Sequence, residues 1–296
     1  MPEGFDSRDA VQAKPPCTVE ANAKGQVIVR VAELRQSREL FVNLTMRELR
    51  GKYKRSALGW AWSMLNPLSS MLIYTFVFGY VLPGNQPPPM PHGKGVFAMF
   101  LLCGLLPWNF FAATTSGAMT AIVGMGNLVK KVWFPREVLV FALTGAGLVQ
   151  FSIELSLLTV ALIAFGNMVL PWLLPVLFIS CLLVAFSVGI ALMLAATYVY
   201  FRDLAYLWSI FVQIWFFLTP IVYQTGLVSS RLPGWANAIY NANPMAVFVD
   251  AYRHVLYHLT WPTQKQIVYL TVLAVVSMAG GLSVFARLSP RFSEEV

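Results

Sequence analysis

Residues 138–200, VLVFALTGAGLVQFSIELSLLTVALIAFGNMVLPWLLPVLFISCLLVAFSVGIALMLAATYVY, carry one charged side chain, Glu154. A bilayer core about 30 Å thick needs about 20 apolar residues per helix, so this stretch is too long for one span and long enough for two. Gly166, Asn167, Pro171 and Pro175 mark a bend between spans at about 138–165 and 172–200. Outward from this stretch, further charge-free runs at 56–93, 95–129, 204–230 and 266–286 add four spans, at about 58–82, 96–122, 204–223 and 266–286. Pro83 and the proline cluster at 87–91 end the first of them.

Composition agrees with this reading. Hydrophobic residues make up 57% of the 296 and charged residues 11%, whereas a soluble domain is about a quarter charged. The net charge of +8 suggests a nucleic-acid partner until its placement is counted. Six spans put both termini on one side, and 17 of the 21 Lys and Arg residues fall there; only Lys94, Arg231, Arg253 and Lys265 fall opposite. Cytoplasmic loops retain such residues, so both termini are expected inside, and the charge reports orientation rather than nucleic-acid binding.

Residues 1–30 read as a flexible cytoplasmic tail and 31–57 as an amphipathic helix in the headgroup layer. In that helix Val42, Met46, Leu49 and Tyr53 form an apolar stripe, with Arg47, Arg50 and Lys54 beside it as membrane-interface cations. With no apolar leader in the first 56 residues, the first span is expected to serve as its own insertion signal. Residues 58–296 are the six-helix transmembrane domain. Its external segment at about 224–264 is apolar, is broken by Asn243-Pro244, and is expected to dip back toward the membrane as re-entrant helices. The expected fold is all-α, a polytopic integral membrane protein.

Few residues offer chemistry. Cys17, Cys103 and Cys181 form no CxxC pair and read as packing residues. Gly51-Lys52 and Gly93-Lys94 lack the flanking pattern of a P-loop, so this chain is expected to bind no nucleotide. Uphill transport would draw on a separate ATPase or on an ion gradient. Glu154, one turn after Gln150, is a lone intramembrane acid: a proton relay or a hydrogen-bonded packing group. His254 and His258 sit four apart but lack a third ligand of suitable type, so no metal site is expected. Aromatic rings crowd spans four and five, and Tyr200, Trp208, Phe211 and Trp215 are the candidate substrate-path residues. Trp208 and Trp215 share one helix face, where rings would present slippery platforms to sugar C–H faces; lipid contact is the plainer reading.

The internal loop 124–137, GMGNLVKKVWFPRE, supplies the resemblance. Lys130, Lys131, Trp133, Phe134, Pro135, Arg136 and Glu137 resemble the coupling-helix motif of type-2 ABC exporter permeases. Those permeases handle O-antigen, capsule, teichoic acid or cell-wall galactan. LGWAWSMLNPL (58–68), GLLPWNFF (104–111), YFRDL (200–204), LTPIVY (218–223) and NPMAVFVDAYRHVLY (243–257) match the family in order along the chain. The resemblance implies a homodimer of six-helix subunits in the bacterial inner or plasma membrane, each with an amphipathic N-terminal helix and external re-entrant helices. It also implies a cytoplasmic ATPase partner that binds ATP and Mg, and a polyprenyl-diphosphate-linked glycan as cargo. This chain would then be a transport subunit rather than an enzyme. A type-2 exporter of small amphiphiles is the alternative. A membrane enzyme acting on polyprenyl-phosphate lipids is disfavoured, because the internal loops offer only Glu137 and Asp203 as catalytic acids.

Overall fold

The computed structural model describes residues 38–53, 61–77, 90–91, 97–126, 134–223 and 242–292. Eight helices are found among them, and no strand. α1 is Arg38–Tyr53, α2 Ala61–Thr75, α3 Phe97–Gly124 and α4 Glu137–Ala164. A 3-10 turn (Leu170–Trp172) leads into α5, Leu173–Tyr200, followed by α6, Leu204–Leu218. α7, Pro244–Tyr252, continues into a π-helical turn, Arg253–Tyr257, and α8 is Gln264–Leu288.

Among the described residues four helices are long and apolar enough to cross a membrane: α3, α4, α5 with its leading turn, and α8 with its closing turn. The expected fifth span, 204–223, is cut short. α6 ends at Leu218 because Thr219 is extended (φ −99°, ψ 131°), as the residue before a proline prefers. Its 15 residues extend about 22 Å, less than the hydrocarbon thickness. The bend within 138–200 falls where glycine and proline placed it. Gly166 has φ 90°, a left-handed conformation that glycine adopts without strain. Asn167, fully buried, donates from Nδ2 to the carbonyls of Leu256 (2.9 Å) and Tyr257 (3.1 Å), tying the bend to the π-helical turn.

α5 and α8 pack most closely, along small residues. A Cβ on Gly189 would overlap the Ser277 backbone, one on Gly281 would overlap Gly189, and Ser277 Oγ donates to the Phe186 carbonyl at 2.9 Å. In lipid the hydrophobic effect does not drive helices together, and close backbone approach at small residues supplies the dispersion energy instead. One core, built on Phe111, Phe151, Phe186, Phe248 and Tyr252, joins α3–α5 to α7. A second, built on Leu44, Ile122, Leu139, Leu192, Phe285 and Phe292, gathers the opposite ends of the bundle.

Two features add to the expectations. The buried face of α1 is Leu44, Thr45 and Leu49, with Phe41 against Gly145 of α4; Val42 and Met46 of the expected stripe are exposed. The reason is local, since Gly145 lets α1 approach α4 along the neighbouring face. Arg253, counted as an external loop charge, is 3% exposed inside the protein.

Candidate functional site

A cavity of about 1160 Å³ lies between α1, α3 and α4, with Ser70 of α2 also lining it. Arg47, Glu48, Arg50 and Lys52 from α1 stand on one side, and Asn109 and Thr114 of α3 and Gln150 and Glu154 of α4 on the others. Lys52 Nζ donates to Gln150 Oε1, and Gln150 Nε2 donates to Glu154 Oε1 at 2.9 Å. The carboxamide thus bridges a cation and an acid. Gln150 lies thirteen residues past Glu137, about 20 Å along α4, and Glu154 about 25 Å along it. Asn109 lies twelve residues past Phe97, about 18 Å from that end of α3. These groups therefore meet near mid-helix, where intramembrane polar side chains mark pathways or binding sites. Thr114 is 2% exposed, and its Oγ1 has no hydrogen-bond partner among the described residues. Glu154 and Gln150 were legible as polar breaks in an apolar run. Asn109 gave the same signal within GLLPWNFF but was read only as part of a motif.

The coupling residues divide. Lys130, Lys131 and Trp133, like Lys54 of the interface set, lie outside the described residues. Phe134 is half-buried against the second core, and Pro135 leads the chain into α4. Arg136 donates from Nη1 to the Ser289 carbonyl and lies 5.7 Å from the Phe292 ring centre. Burial lowers the Arg136 pKa below the ordinary arginine value, with neighbouring Glu137 opposing. Glu137 is buried at the first turn of α4, where an acid complements the helix dipole. Tyr200 donates to the Leu288 carbonyl at 2.9 Å and meets the Phe292 ring at 6.2 Å. The start of α4 and the ends of α5 and α8 are thereby tied into one knot.

The path aromatics do not converge on the cavity. Tyr200 belongs to the knot. Trp208 and Trp215 turn from α6 toward α3: Trp208 Nε1 donates to Thr115 Oγ1 at 3.3 Å, and Trp215 Nε1 donates to Asn243 Oδ1 at 2.7 Å. Phe211, nearly half exposed, bridges their rings at 5.2 and 5.1 Å. The remaining outer face of α6, including Tyr206, Ile210, Ile214 and Phe217, is exposed and apolar.

Beyond α6, Asn243 caps α7, accepting from the amides of Met245 and Ala246 and donating to the Leu218 carbonyl. α7 and its π turn are buried: Met245, Phe248, Val249, Tyr252, Val255, Leu256 and Tyr257 have no exposed surface. Protein covers this element, as an apolar non-spanning segment requires. The part of the segment before Asn243 up to residue 241 lies outside the described residues. Arg253 anchors the element, donating from Nη1 to the Pro220 carbonyl and from Nη2 to the Ile221 carbonyl, each at 2.6 Å, with its guanidinium 3.7 Å from the Phe100 ring centre. Sequence reasoning missed this residue; its signal was a cation inside an apolar segment.

His254 faces Asp250 (Nε2 to Oδ2, 3.5 Å) and Thr260 (Nδ1 to Oγ1, 2.9 Å), and Gln266 donates to Asp250 at 2.6 Å. The Asp250 hydrogen bond raises the His254 pKa, against the opposing effect of burial. Burial and the neighbouring His254 lower that of His258. Burial alone would raise the Asp250 pKa, but His254, Gln266 and Arg253 together hold it below the usual carboxylate value. Among the described residues no group of three or more His, Cys, Asp or Glu side chains could hold a metal.

The family model for ABC-2 type transporters matches residues 39–257. Over 268 residues the chain is 31% identical to the O-antigen export system permease protein RfbA of Myxococcus xanthus, covering 90% of this chain and 98% of that one. It is 29% identical over 260 residues to the protein of the same name from Klebsiella pneumoniae, covering 86% and 94%. The polysialic acid transport protein KpsM of Escherichia coli is 23% identical over 255 residues, covering 82% and 90%. A multi-helix apolar architecture and a match spanning most of its length place this chain in the ABC-2 type transporter family.

Proposed function

We propose that this chain is the permease subunit of an ATP-driven exporter that moves polyprenyl-diphosphate-linked polysaccharide out of the cytoplasm across the inner or plasma membrane. Near full-length similarity to permeases named for O-antigen export carries this reading. In it, α2 and α6 complete six spans around the four long helices, both termini are cytoplasmic, and the chain works as a homodimer. The cation count supports the orientation. The exposed apolar face of α6 is suited to lipid or a second copy.

A separate ATPase, binding ATP and Mg, docks on the loop ending at Glu137. Phe134 supplies an apolar anchor, and such anchors commonly dominate an interface. The knot explains how a push there travels: Arg136 is bonded to Ser289, and Phe292 packs on Tyr200, so movement of the loop reaches the ends of α5 and α8 together.

The test is deletion of the gene in its native host. Glycan should accumulate inside the cell and vanish from the surface, and re-expression of the full chain should restore it. Undiminished surface glycan after deletion overturns the reading. Phe134→Ala should abolish restoration and weaken ATPase co-purification about thirtyfold, while leaving membrane insertion intact.

A further inference from the structure

Between α7 and the start of α8 the backbone departs twice from regular form. Arg253–Tyr257 is a π-helical turn, and such single turns are frequent at functional sites. Leu259 then takes φ 52°, a left-handed conformation that strains a residue with a bulky side chain. The strain turns the chain back on itself. The Thr260 amide donates to the His254 carbonyl at 2.8 Å, and Thr260 Oγ1 meets His254 Nδ1 at 2.9 Å. The next residue, Trp261, lies beside Trp172 at the head of α5, with ring centres 5.7 Å apart and planes at 56°. Trp261 is 65% exposed.

Polar groups stand at the same corner. Gln266 Nε2 and His254 Nε2 both meet Asp250 at Oδ2, which leaves Oδ1 as an acceptor. The Asp250 and His254 side chains are each 34% exposed. Lys265, exposed in the first turn of α8, carries the charge opposite to that of Asp250, so the corner has no strong preference for anion or cation. A headgroup belt accounts for two tryptophans at the ends of spans. It requires neither a strained leucine nor a half-exposed hydrogen-bond network beside them, and strain of this kind clusters at ligand sites.

We propose that Trp172, Trp261, Asp250, His254, Thr260 and Gln266 form a surface subsite for a glycan strand, with sugar C–H faces on the indoles and sugar hydroxyls on the polar groups. An indole offers an apolar face to any sugar, and a carboxylate oxygen accepts from any hydroxyl. The corner is open rather than enclosed, which suits a stretch of polymer; a small ligand needs a cavity to bury most of its surface. The inference rests on the export reading above, in which this end of α5 and α8 faces outward, and it assigns the emerging strand a contact outside the membrane.

The test uses the full-length chain in immobilised phosphatidylcholine nanodiscs, with biolayer interferometry reading Kd for the native host's surface glycan, released from its lipid by mild acid. Wild type should bind it. Trp261→Ala should raise Kd by about tenfold or more, as for truncation of an aromatic anchor, and Trp261→Phe should raise it less. Asp250→Asn, which keeps the shape and one acceptor oxygen, should raise Kd about threefold and serves if loss of the indole disturbs insertion. No binding by wild type overturns the proposal. So does an unchanged Kd in both Trp261→Ala and Asp250→Asn, which would leave the tryptophans as headgroup anchors. Failure of the export reading shows separately, as wild-type chain that does not restore surface glycan in the deletion strain.

Discussion

Two of the places where the described residues hold charge among apolar helices are built in opposite ways. Arg253 is sealed: two carbonyls solvate its guanidinium, Phe100 lies under it, and 3% of its surface is exposed. Lys52, Gln150 and Glu154 instead line a cavity of about 1160 Å³. A buried cation that donates from both terminal nitrogens to protein carbonyls is spent on holding α7 against the chain beyond α6. Polar groups that face open volume keep the capacity to bind something else. The comparison teaches that an intramembrane charge is read by its surroundings: a closed shell means architecture, an open one means a pathway or a ligand.

The sharpest way to break this contrast is Arg253→Met. It strands the Pro220 and Ile221 carbonyls, and losing two bonds to a charged donor should cost about 3 kcal/mol or more. Thermal unfolding in detergent should show a large fall in Tm, with Arg253→Lys recovering part of it. A Tm equal to wild type would mean the site is not the anchor it looks to be. Next in size is Gly189→Ala on the dry α5–α8 seam, where a Cβ overlaps the Ser277 backbone. Separating two tightly packed helices should cost about 1–3 kcal/mol, seen by the same measurement.

Glu154→Gln probes the open site. Its stability should stay within about 0.5 kcal/mol of wild type, as for substitutions that leave packing intact. Surface glycan in complemented cells should nonetheless fall several-fold. A drop in Tm without an export defect would move Glu154 into the sealed class.

The smallest effect concerns His254. Its folded pKa is raised by Asp250, so its stabilisation is fully present below about pH 6.5, the unfolded value, and is lost as pH rises through the raised value. Asp250 is depressed, so its share is present above the ordinary carboxylate range and lost as pH falls through the lower folded value. His258 is also depressed, so its neutral form is favoured and its contribution fades as pH falls, opposing His254. The Tm difference between wild type and His254→Gln should therefore be greater at pH 6 than at pH 8.5, and relief of the His258 depression in the variant should narrow that difference without reversing it. A difference independent of pH would show that the pair is not charged.

Much of the fold was legible because hydropathy and helix-breaking residues act locally. The bend predicted from Gly166, Asn167, Pro171 and Pro175 lies between α4 and α5, and the ends of α3, α4, α5 and α8 fall within two residues of expectation. The end of α6 was missed by five residues, because apolar character continues through Ile221 and Val222 while Pro220 breaks the backbone. Which face of α1 meets α4 was not legible, because two adjacent faces of that helix are both apolar and only the notch at Gly145 selects the one carrying Phe41 and Thr45 for that contact. The candidate site was half legible. Glu154 and Gln150 stood out as polar residues in an apolar run, but nothing in their neighbourhood named Lys52 as their partner.

By itself the sequence determined that this is a membrane-embedded helical chain, where its longest helices run, and which family it resembles. Each of those follows from sums over short windows or from motifs read in order. Only the tertiary structure decided which charges are sealed and which are open. Lys52 and Gln150 are 98 positions apart, and Arg253 reaches carbonyls more than 30 positions away. Whether such groups meet depends on the rotation of each helix about its axis and on the depth at which neighbours cross, set by notches such as Gly145 and Gly189. Hydropathy is unchanged by those rotations, so it cannot report them.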